Sequence, residues 1–534
     1  MSNHAKANTQ QALPLTMATL IEQCAAKFGD RIAVQESGAK ISYQEIDELR
    51  QSAAKAFIAA GLEKGDRISL WAPNFWEWIV IAIGAQTVGG VVVTVNNRLS
   101  GEEAADIIGR SGSKMLFTVG QLEQGAPKQM LNGQSLPNLA DIIELRTENN
   151  AEWHSFIQRG ESVSDQQLAE IAKAVLPSDP MDMLFTSGTT GKPKGVVCSH
   201  QQNIKVSDSW AGTVGLRGDD RYLIVSPFFH SFGYKAGWLA AFTRGCTVFP
   251  MLAFDAEQAM EVVERERITT LPGAPSLYEM LLAHPKRSQY DLSSLRLGVT
   301  GAATIPVKLV EDMWSVLGFD TVVTGYGLTE SSGVVSLCHP GDSAERIAQT
   351  SGRAVEGVEI KCVDPATQLE VPRGQEGELW VRGYNIMLEY FEMPEATAET
   401  ITADGWLRTG DIAVMDDDGY IRITDRLKDM YIMNGENVYP AEVEKLLFAL
   451  DGVAQVAVIG VPKSPQGEVG MAFIVLKPGA ELSKEQVVAF CAESLARYKV
   501  PFYVEFVSSL PMNASGKVTK PALKTQARQL LSKG

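Results

Sequence analysis

The stretch Phe185-Thr-Ser-Gly-Thr-Thr-Gly-Lys-Pro-Lys-Gly-Val-Val-Cys-Ser-His200 decides how this chain is read. From Thr186 to Lys194 every position is a hydroxyl residue, glycine, lysine or proline. Glycines such as Gly188 and Gly191 let the backbone turn sharply and present bare N–H groups. Thr186, Ser187, Thr189 and Thr190 add hydroxyl donors, and Lys192 and Lys194 add positive charge. The run follows Met181-Asp-Met-Leu-Phe185, which reads as a strand end. Such a loop suits a polyphosphate. It is not a Walker A loop, which needs a glycine five positions before its Gly-Lys pair and a Ser or Thr after it. Here Thr186 and Pro193 stand at those positions. A plain Ser/Thr/Gly surface loop is the competing explanation. Two lysines and three glycines directly behind an apolar strand weigh against it.

Composition narrows the class. A chain of 534 residues exceeds what one core usually organises, so two or more domains are expected. Apolar content of 45% and charged content of 21% are ordinary for a globular protein. A formal net charge of −16 argues against general affinity for nucleic acid or anionic membrane. A nucleotide site must then assemble its positive potential locally. The longest apolar stretch, near Trp78-Ile-Val-Ile-Ala-Ile-Gly-Ala85, is too short to span a bilayer. The polar segment Met1–Ala12 lacks the apolar region of a signal peptide. The six cysteines show no CxxC spacing, so a reducing cytoplasm is the expected location.

Beyond a polar tail, residues 1–15, strand and helix patterns alternate. Thr16–Phe28 predicts a helix, Arg67–Pro73 a strand, Phe75–Gln86 a helix and Gly90–Val95 a strand. Alternation of this kind implies parallel βαβ units. It recurs with strands at 221–225, 268–271, 295–300 and 321–324, while residues 121–178 read as partly insertion. Short alternating strands follow from about Gly352. Two of them flank Asp416-Asp-Asp-Gly419, a hairpin turn signal. The expected fold is α/β. A large N-terminal domain, 16–427, holds βαβ parallel sheets and a small β-barrel-like subdomain at 352–425. A small mobile α+β domain, 428–534, follows.

Three further segments fit the phosphate loop: Gly325-Tyr-Gly-Leu-Thr-Glu330, Thr409-Gly-Asp411 and Pro511-Met-Asn-Ala-Ser-Gly-Lys517. With them the chain resembles the adenylate-forming superfamily of acyl-CoA synthetases, adenylation domains and luciferases, from about Leu20 to its end. The chemistry explains the residue types. A carboxylate activates itself by attacking the α-phosphate of ATP, which brings an anion against a polyanion. Neutralising charge is therefore the main task.

The resemblance implies the following roles. Residues Thr186 to Lys194 hold the β- and γ-phosphates, and Thr186 and Glu330 are the Mg²⁺ positions. Tyr326 flanks the adenine, with Gly325 and Gly327 allowing close approach. Thr329 reaches the α-phosphate, and Asp411 with Arg426 takes the ribose. Lys517 is the catalytic lysine and Lys428 the hinge. Gly435 and Glu436 belong to the CoA segment, where Asn434 replaces a glycine and must accept left-handed geometry. His230, in Pro227-Phe-Phe-His-Ser-Phe-Gly233, borders the acyl and thiol channels. A structural histidine is an equal alternative there. Taken singly, Asp411 as a turn residue and Lys517 as a solvated lysine are the plainer explanations. All the motifs in family order favour function.

By position in the family, the acyl pocket is expected from Phe229, Tyr234, Trp238, Gly301, Ala302, Ala303 and Gly325, with Lys235 the one nearby cation. That lining implies an apolar monocarboxylate. Ser209-Trp210, Pro227–Gly237 and Val299–Pro306 resemble a group of bacterial ligases for a two-ring propanoate from steroid breakdown. Medium- and long-chain fatty acids stay open. So do an acyl-AMP ligase that loads a separate carrier protein and a non-catalytic nucleotide- or acyl-binding homologue. The expected partners are the carboxylate, ATP, Mg²⁺ and coenzyme A. The sequence admits a homodimer and leaves oligomeric state otherwise unspecified.

Overall fold

The computed structural model describes residue 13 and residues 15–36, 38–186, 193–301, 305–434, 436–513 and 517–531, with Asn437 as backbone alone. Helix starts follow local capping chemistry. Thr16 caps Met17–Phe28, Ser42 with Glu45 caps Tyr43–Ala59, and Ser199 with Gln202 caps His200–Thr213.

A seven-stranded sheet carries the loop of interest. Its spatial order is Glu389–Tyr390, Lys194–Ser199, Pro180–Thr186, Val91–Thr94, Arg67–Trp71, Met115–Val119 and Asp141–Leu145. The last five are mutually parallel, and the first two add antiparallel at one edge. Val91–Thr94 and Met115–Val119 are buried along their whole length, as parallel strands covered on both faces should be. The helix Trp76–Thr87 is buried from Glu77 onward and fills the space beside this sheet. The segment 121–178 is part of this architecture and not an insertion. It supplies the edge strand Asp141–Leu145 and helices that bury Trp153, Phe156 and Leu168. Its one strand is short and flanked by charge, which hid it.

A second layer pairs Ile32–Glu36, Thr247–Pro250 and Arg221–Ile224 in parallel. Of the strand expected at 268–271, only Thr270 bridges, to Tyr222 on one side and Leu297 on the other. Leu297–Gly301 and Thr321–Tyr326 continue in parallel. The strands Val358–Val363, Glu376–Gly383, Leu407–Met415 and Ile421–Arg426 then pair antiparallel in an open row. Their last turn is Asp416–Gly419, with Gly419 at φ +83°. Beyond it lies an α+β unit. Its sheet packs one face on Val443, Leu447 and Val487 and the other on Leu523 and Ala527. Among the described residues no helix is long and apolar enough to cross a membrane.

Candidate active site

The strands flanking the phosphate loop are antiparallel partners, with Thr186 opposite Lys194. The loop therefore closes a hairpin and does not lead from strand into helix. Arg110 ties both stems. It donates to the Pro193 carbonyl at 2.8 Å and lies over the Phe185 ring at 5.1 Å. Ser187, Gly188, Thr189, Thr190, Gly191 and Lys192 lie outside the described residues.

Glu330 reaches this hairpin through a residue that the sequence did not single out. The edge strand places Tyr390 opposite Val196. The Tyr390 hydroxyl donates to Glu330 Oε1 at 2.8 Å, and the Lys194 ammonium sits over its ring at 4.4 Å. Burial and then the Glu330 charge push the phenol pKa up, so it stays a donor. Glu330 is also held through its backbone, whose carbonyl accepts from Met387 N–H at 2.8 Å. No local signal marks Tyr390, because its partner lies 60 residues away.

A second cluster joins Tyr326, Asp411 and Arg426. Tyr326 Oη donates to Asp411 Oδ2 at 2.5 Å, and Arg426 Nε lies 3.2 Å from Oδ1. Asp411 is buried and Arg426 keeps an exposed edge. Burial and then Asp411 raise the Tyr326 phenol well above its ordinary value. The glycines beside Tyr326 have an internal reason as well. A Cβ on Gly325 would come within 2.4 Å of Leu337, and one on Gly327 within 2.1 Å of the Gly333 carbonyl oxygen. Thr329 opens the short turn Thr329–Ser331 that carries Glu330.

Lys517 approaches this cluster from the C-terminal unit. Its N–H donates to Asn513 Oδ1 at 2.9 Å, and Met512 pairs with Val518 in an isolated antiparallel bridge. Surrounding protein lowers its pKa even though its surface stays open. Arg426 lowers it further, while Asp411 raises it. His230 is likewise an exposed residue. Desolvation and then the Lys517 ammonium push its pKa down to about 4, so it is neutral at pH 7. Its Nδ1 accepts from Phe232 N–H at 3.2 Å. In the neutral ring the proton then sits on Nε2, which is left as the donor. Exposed Lys428 lies just past the strand Ile421–Arg426. Desolvation and then Arg426 hold its pKa below the usual lysine value.

The expected acyl lining divides. Phe229 and Gly301 are partly exposed. Tyr234 and Trp238 are not on an open wall: both are fully buried, stacked at 5.0 Å, and pack against Trp78. Gln86 donates to the Tyr234 hydroxyl at 2.6 Å. Lys235 is also turned inward. It is 1% exposed, with its ammonium 3.4 Å from fully buried Asp182. Ala302 and Ala303 lie outside the described residues, as does Gly435. Asn434 adopts φ +52°, the left-handed geometry its position demands, and Glu436, which opens the strand Glu436–Val438, is exposed.

Asp425 ties the two units together. Its Oδ2 accepts from Ala441 N–H at 2.8 Å, in the first turn of the helix Pro440–Phe448. That helix has no side-chain cap of its own. Burial, the largest cause, raises the Asp425 pKa to about 6.

The antiparallel stems at Thr186 and Lys194, the Glu330 carboxylate held by Tyr390, the Tyr326–Asp411–Arg426 cluster and Lys517 within electrostatic reach of Asp411 make up the candidate site. Residues 21–391 match the family model of the AMP-binding enzyme, and residues 442–517 match the AMP-binding enzyme C-terminal domain. The chain belongs to the AMP-binding enzyme family. It is an acid–thiol ligase of the AMP-forming acyl-CoA synthetase type, for which ATP and coenzyme A are co-substrates. It is 45% identical over 519 residues to a propanoyl:CoA ligase of Mycobacterium tuberculosis whose acyl group carries a methyl-dioxo-octahydroindenyl ring system. That match covers 97% of this chain and 99% of the relative. The Rhodococcus jostii ligase of the same name is 42% identical over 523 residues, covering 96% and 99%. An anthranilate CoA ligase solved with anthranoyl-AMP matches with a TM-score of 0.83 at 26% identity, covering 98% of this chain and 99% of that one.

Proposed function

We propose that this ligase activates an apolar monocarboxylate, with a ring-bearing propanoate of steroid origin as the favoured acid. The observation that carries this reading is the burial of Lys235 against Asp182. The cation nearest the acyl pocket in sequence is already paired, so it does not wait for a second carboxylate on the substrate. The relatives from M. tuberculosis and R. jostii, similar over nearly the whole chain, support the ring system.

The roles are those the family resemblance implies, and the Tyr326–Asp411–Arg426 and Tyr390–Glu330 contacts support them. The hairpin from Thr186 to Lys194 receives the β- and γ-phosphates. Tyr326 flanks the adenine, Asp411 and Arg426 take the ribose hydroxyls, and Thr329 meets the α-phosphate. Thr186 and Glu330 offer a hydroxyl and a carboxylate. This hard-oxygen set fits a Mg²⁺ ion that takes its remaining ligands from phosphate and water. Such an ion supplies charge neutralisation on the triphosphate. Tyr390 occupies one Glu330 oxygen and leaves the other for that duty.

In the first half-reaction a carboxylate oxygen bonds to the α-phosphorus as the bond to pyrophosphate breaks. The Lys517 ammonium lies between the two anions, and the His230 Nε2–H donates to the acyl oxygen. In the second, the CoA thiolate bonds to the acyl carbon and AMP leaves. The small domain, from Lys428 onward, turns at that lysine so that Lys517 withdraws and the segment with Glu436 meets the thiol. A cytoplasmic location fits the six cysteines, all buried and unpaired.

The test is pyrophosphate release over a carboxylate panel with and without CoA, including bicyclic ring propanoates and medium- and long-chain fatty acids. The ring propanoate should give the highest kcat/KM, with acyl-CoA accumulating only when CoA is present. A preference for straight chains would overturn the acid assignment. Acyl-AMP that CoA cannot discharge would overturn the acceptor.

A further inference from the structure

The strand Glu376–Gly383 pairs with Leu407–Met415 in a broken register. Glu378 faces Ile412 and Trp380 faces Arg408, so Leu379 alone opposes Thr409, Gly410 and Asp411. Extra residues of this kind bend a strand and re-aim a side chain. The side chain re-aimed here is Asp411, which turns to Tyr326 and Arg426. Such a bulge also removes backbone groups from the ladder, and each needs another partner.

The partners are specific. Thr409 Oγ1 donates to the Leu379 carbonyl at 2.6 Å and accepts from Asp411 N–H at 3.1 Å. Gly410, at φ +70°, sends its carbonyl to Leu427 N–H at 2.8 Å. Its own N–H goes to Glu378 Oε1 at 3.0 Å. The other carboxylate oxygen of Glu378 accepts from Trp380 Nε1–H at 2.8 Å. Glu378 is only 5% exposed. A buried carboxylate is expensive unless hydrogen bonds compensate it. Both of its oxygens are held by N–H donors, and one of those donors is Gly410, the residue directly before Asp411.

We propose that Glu378 is a positioning residue for nucleotide recognition: its carboxylate fixes the bulge that presents Asp411 to the ribose. This rests on the reading that Asp411 takes the ribose hydroxyls. It adds that the aim of Asp411 is set from the neighbouring strand, by a residue that touches no substrate.

The test uses the full-length enzyme and the ratio of kcat/KM for ATP to that for 2′-deoxy-ATP and 3′-deoxy-ATP. Asp411→Ala should erase the wild-type preference for ATP. Glu378→Ala should lower that ratio about ten-fold, the scale of one charge-assisted hydrogen bond, with a smaller change in kcat at saturating ATP. Glu378→Gln must turn its NH₂ toward either Gly410 or Trp380, so it should lose part of the ratio. Adding Trp380→Phe frees the Gln carbonyl for Gly410 and should restore it. This pair decides the matter if Glu378→Ala does not fold. An equal fall in kcat/KM for all three nucleotides, with the ratio unchanged, would show a merely structural role and overturn the proposal. A ratio unchanged in Asp411→Ala would instead overturn the ribose reading beneath it.

Discussion

The Tyr326 phenol and the Asp411 carboxylate meet at 2.5 Å across 85 residues of sequence. The contact joins the end of a parallel strand to a bulge in the antiparallel sheet, and Arg426 completes it from the adjoining strand. Two sheets thereby share one carboxylate. Tyr326→Phe keeps the ring and removes the donor. Hydrogen bonds to charged groups contribute about 1.5–3 kcal/mol, so the KM for ATP should rise at least ten-fold, read from initial rates against ATP concentration. An unchanged KM would detach this bond from nucleotide binding.

Lys517→Ala should separate the half-reactions. Pyrophosphate release should fall about 10²–10³-fold, the loss expected when one preorganised donor leaves such a site. Thioester formation from supplied acyl-AMP should largely survive. Equal loss of both steps would remove Lys517 from its assigned role.

The buried pair Lys235–Asp182 should behave asymmetrically. Lys235→Met leaves a fully buried carboxylate without its cation and should cost about 3–5 kcal/mol in chemical denaturation. Lys235→Met with Asp182→Val replaces both charges by apolar groups and should recover most of that loss. A single variant costing no more than the double would contradict the pairing.

Asp425 gives a pH signature. Its folded pKa, about 6, lies above the ordinary aspartate value of 3.8, chiefly through burial. Between those values the folded protein keeps a proton that the unfolded chain has released. Through this group stability is therefore full at low pH and declines as pH rises toward 6. Asp425→Asn should match the wild type in Tm near pH 4 and exceed it above pH 6. A difference independent of pH would sink the assignment.

Much of the site was legible where composition clashed with place. Hydroxyls, glycines and lysines behind an apolar strand marked the loop at Thr186, and glycines around Tyr326 marked the next. Asp411 and Lys517 stand out in the sequence only in company, since alone the first reads as a turn residue and the second as a solvated lysine. What stayed hidden shares one cause: the partner is remote in sequence. Tyr390 meets Glu330 because a two-residue strand joins the hairpin edge, and Glu378 meets Gly410 because of a bulge. Neither leaves a periodic trace. Position in the family puts Tyr234 and Trp238 in the acyl pocket. The helix through them is irregular, with Gly237 at ψ −112°, and both rings turn into the aromatic core.

The contact between Asp425 and Ala441 straddles Lys428, the hinge proposed here. A turn at that lysine carries the helix Pro440–Phe448 away and strips its first turn of the carboxylate that closes it. The helix must then take its acceptor from water, and Asp425 regains solvent and an ordinary acidity. With the hinge proposed at Lys428, changing from adenylation to thioester formation would also be a small titration: in weakly acid solution it would release a proton from a residue that meets neither the acid nor the nucleotide. The pace of domain exchange, and with it turnover, should carry the imprint of that aspartate.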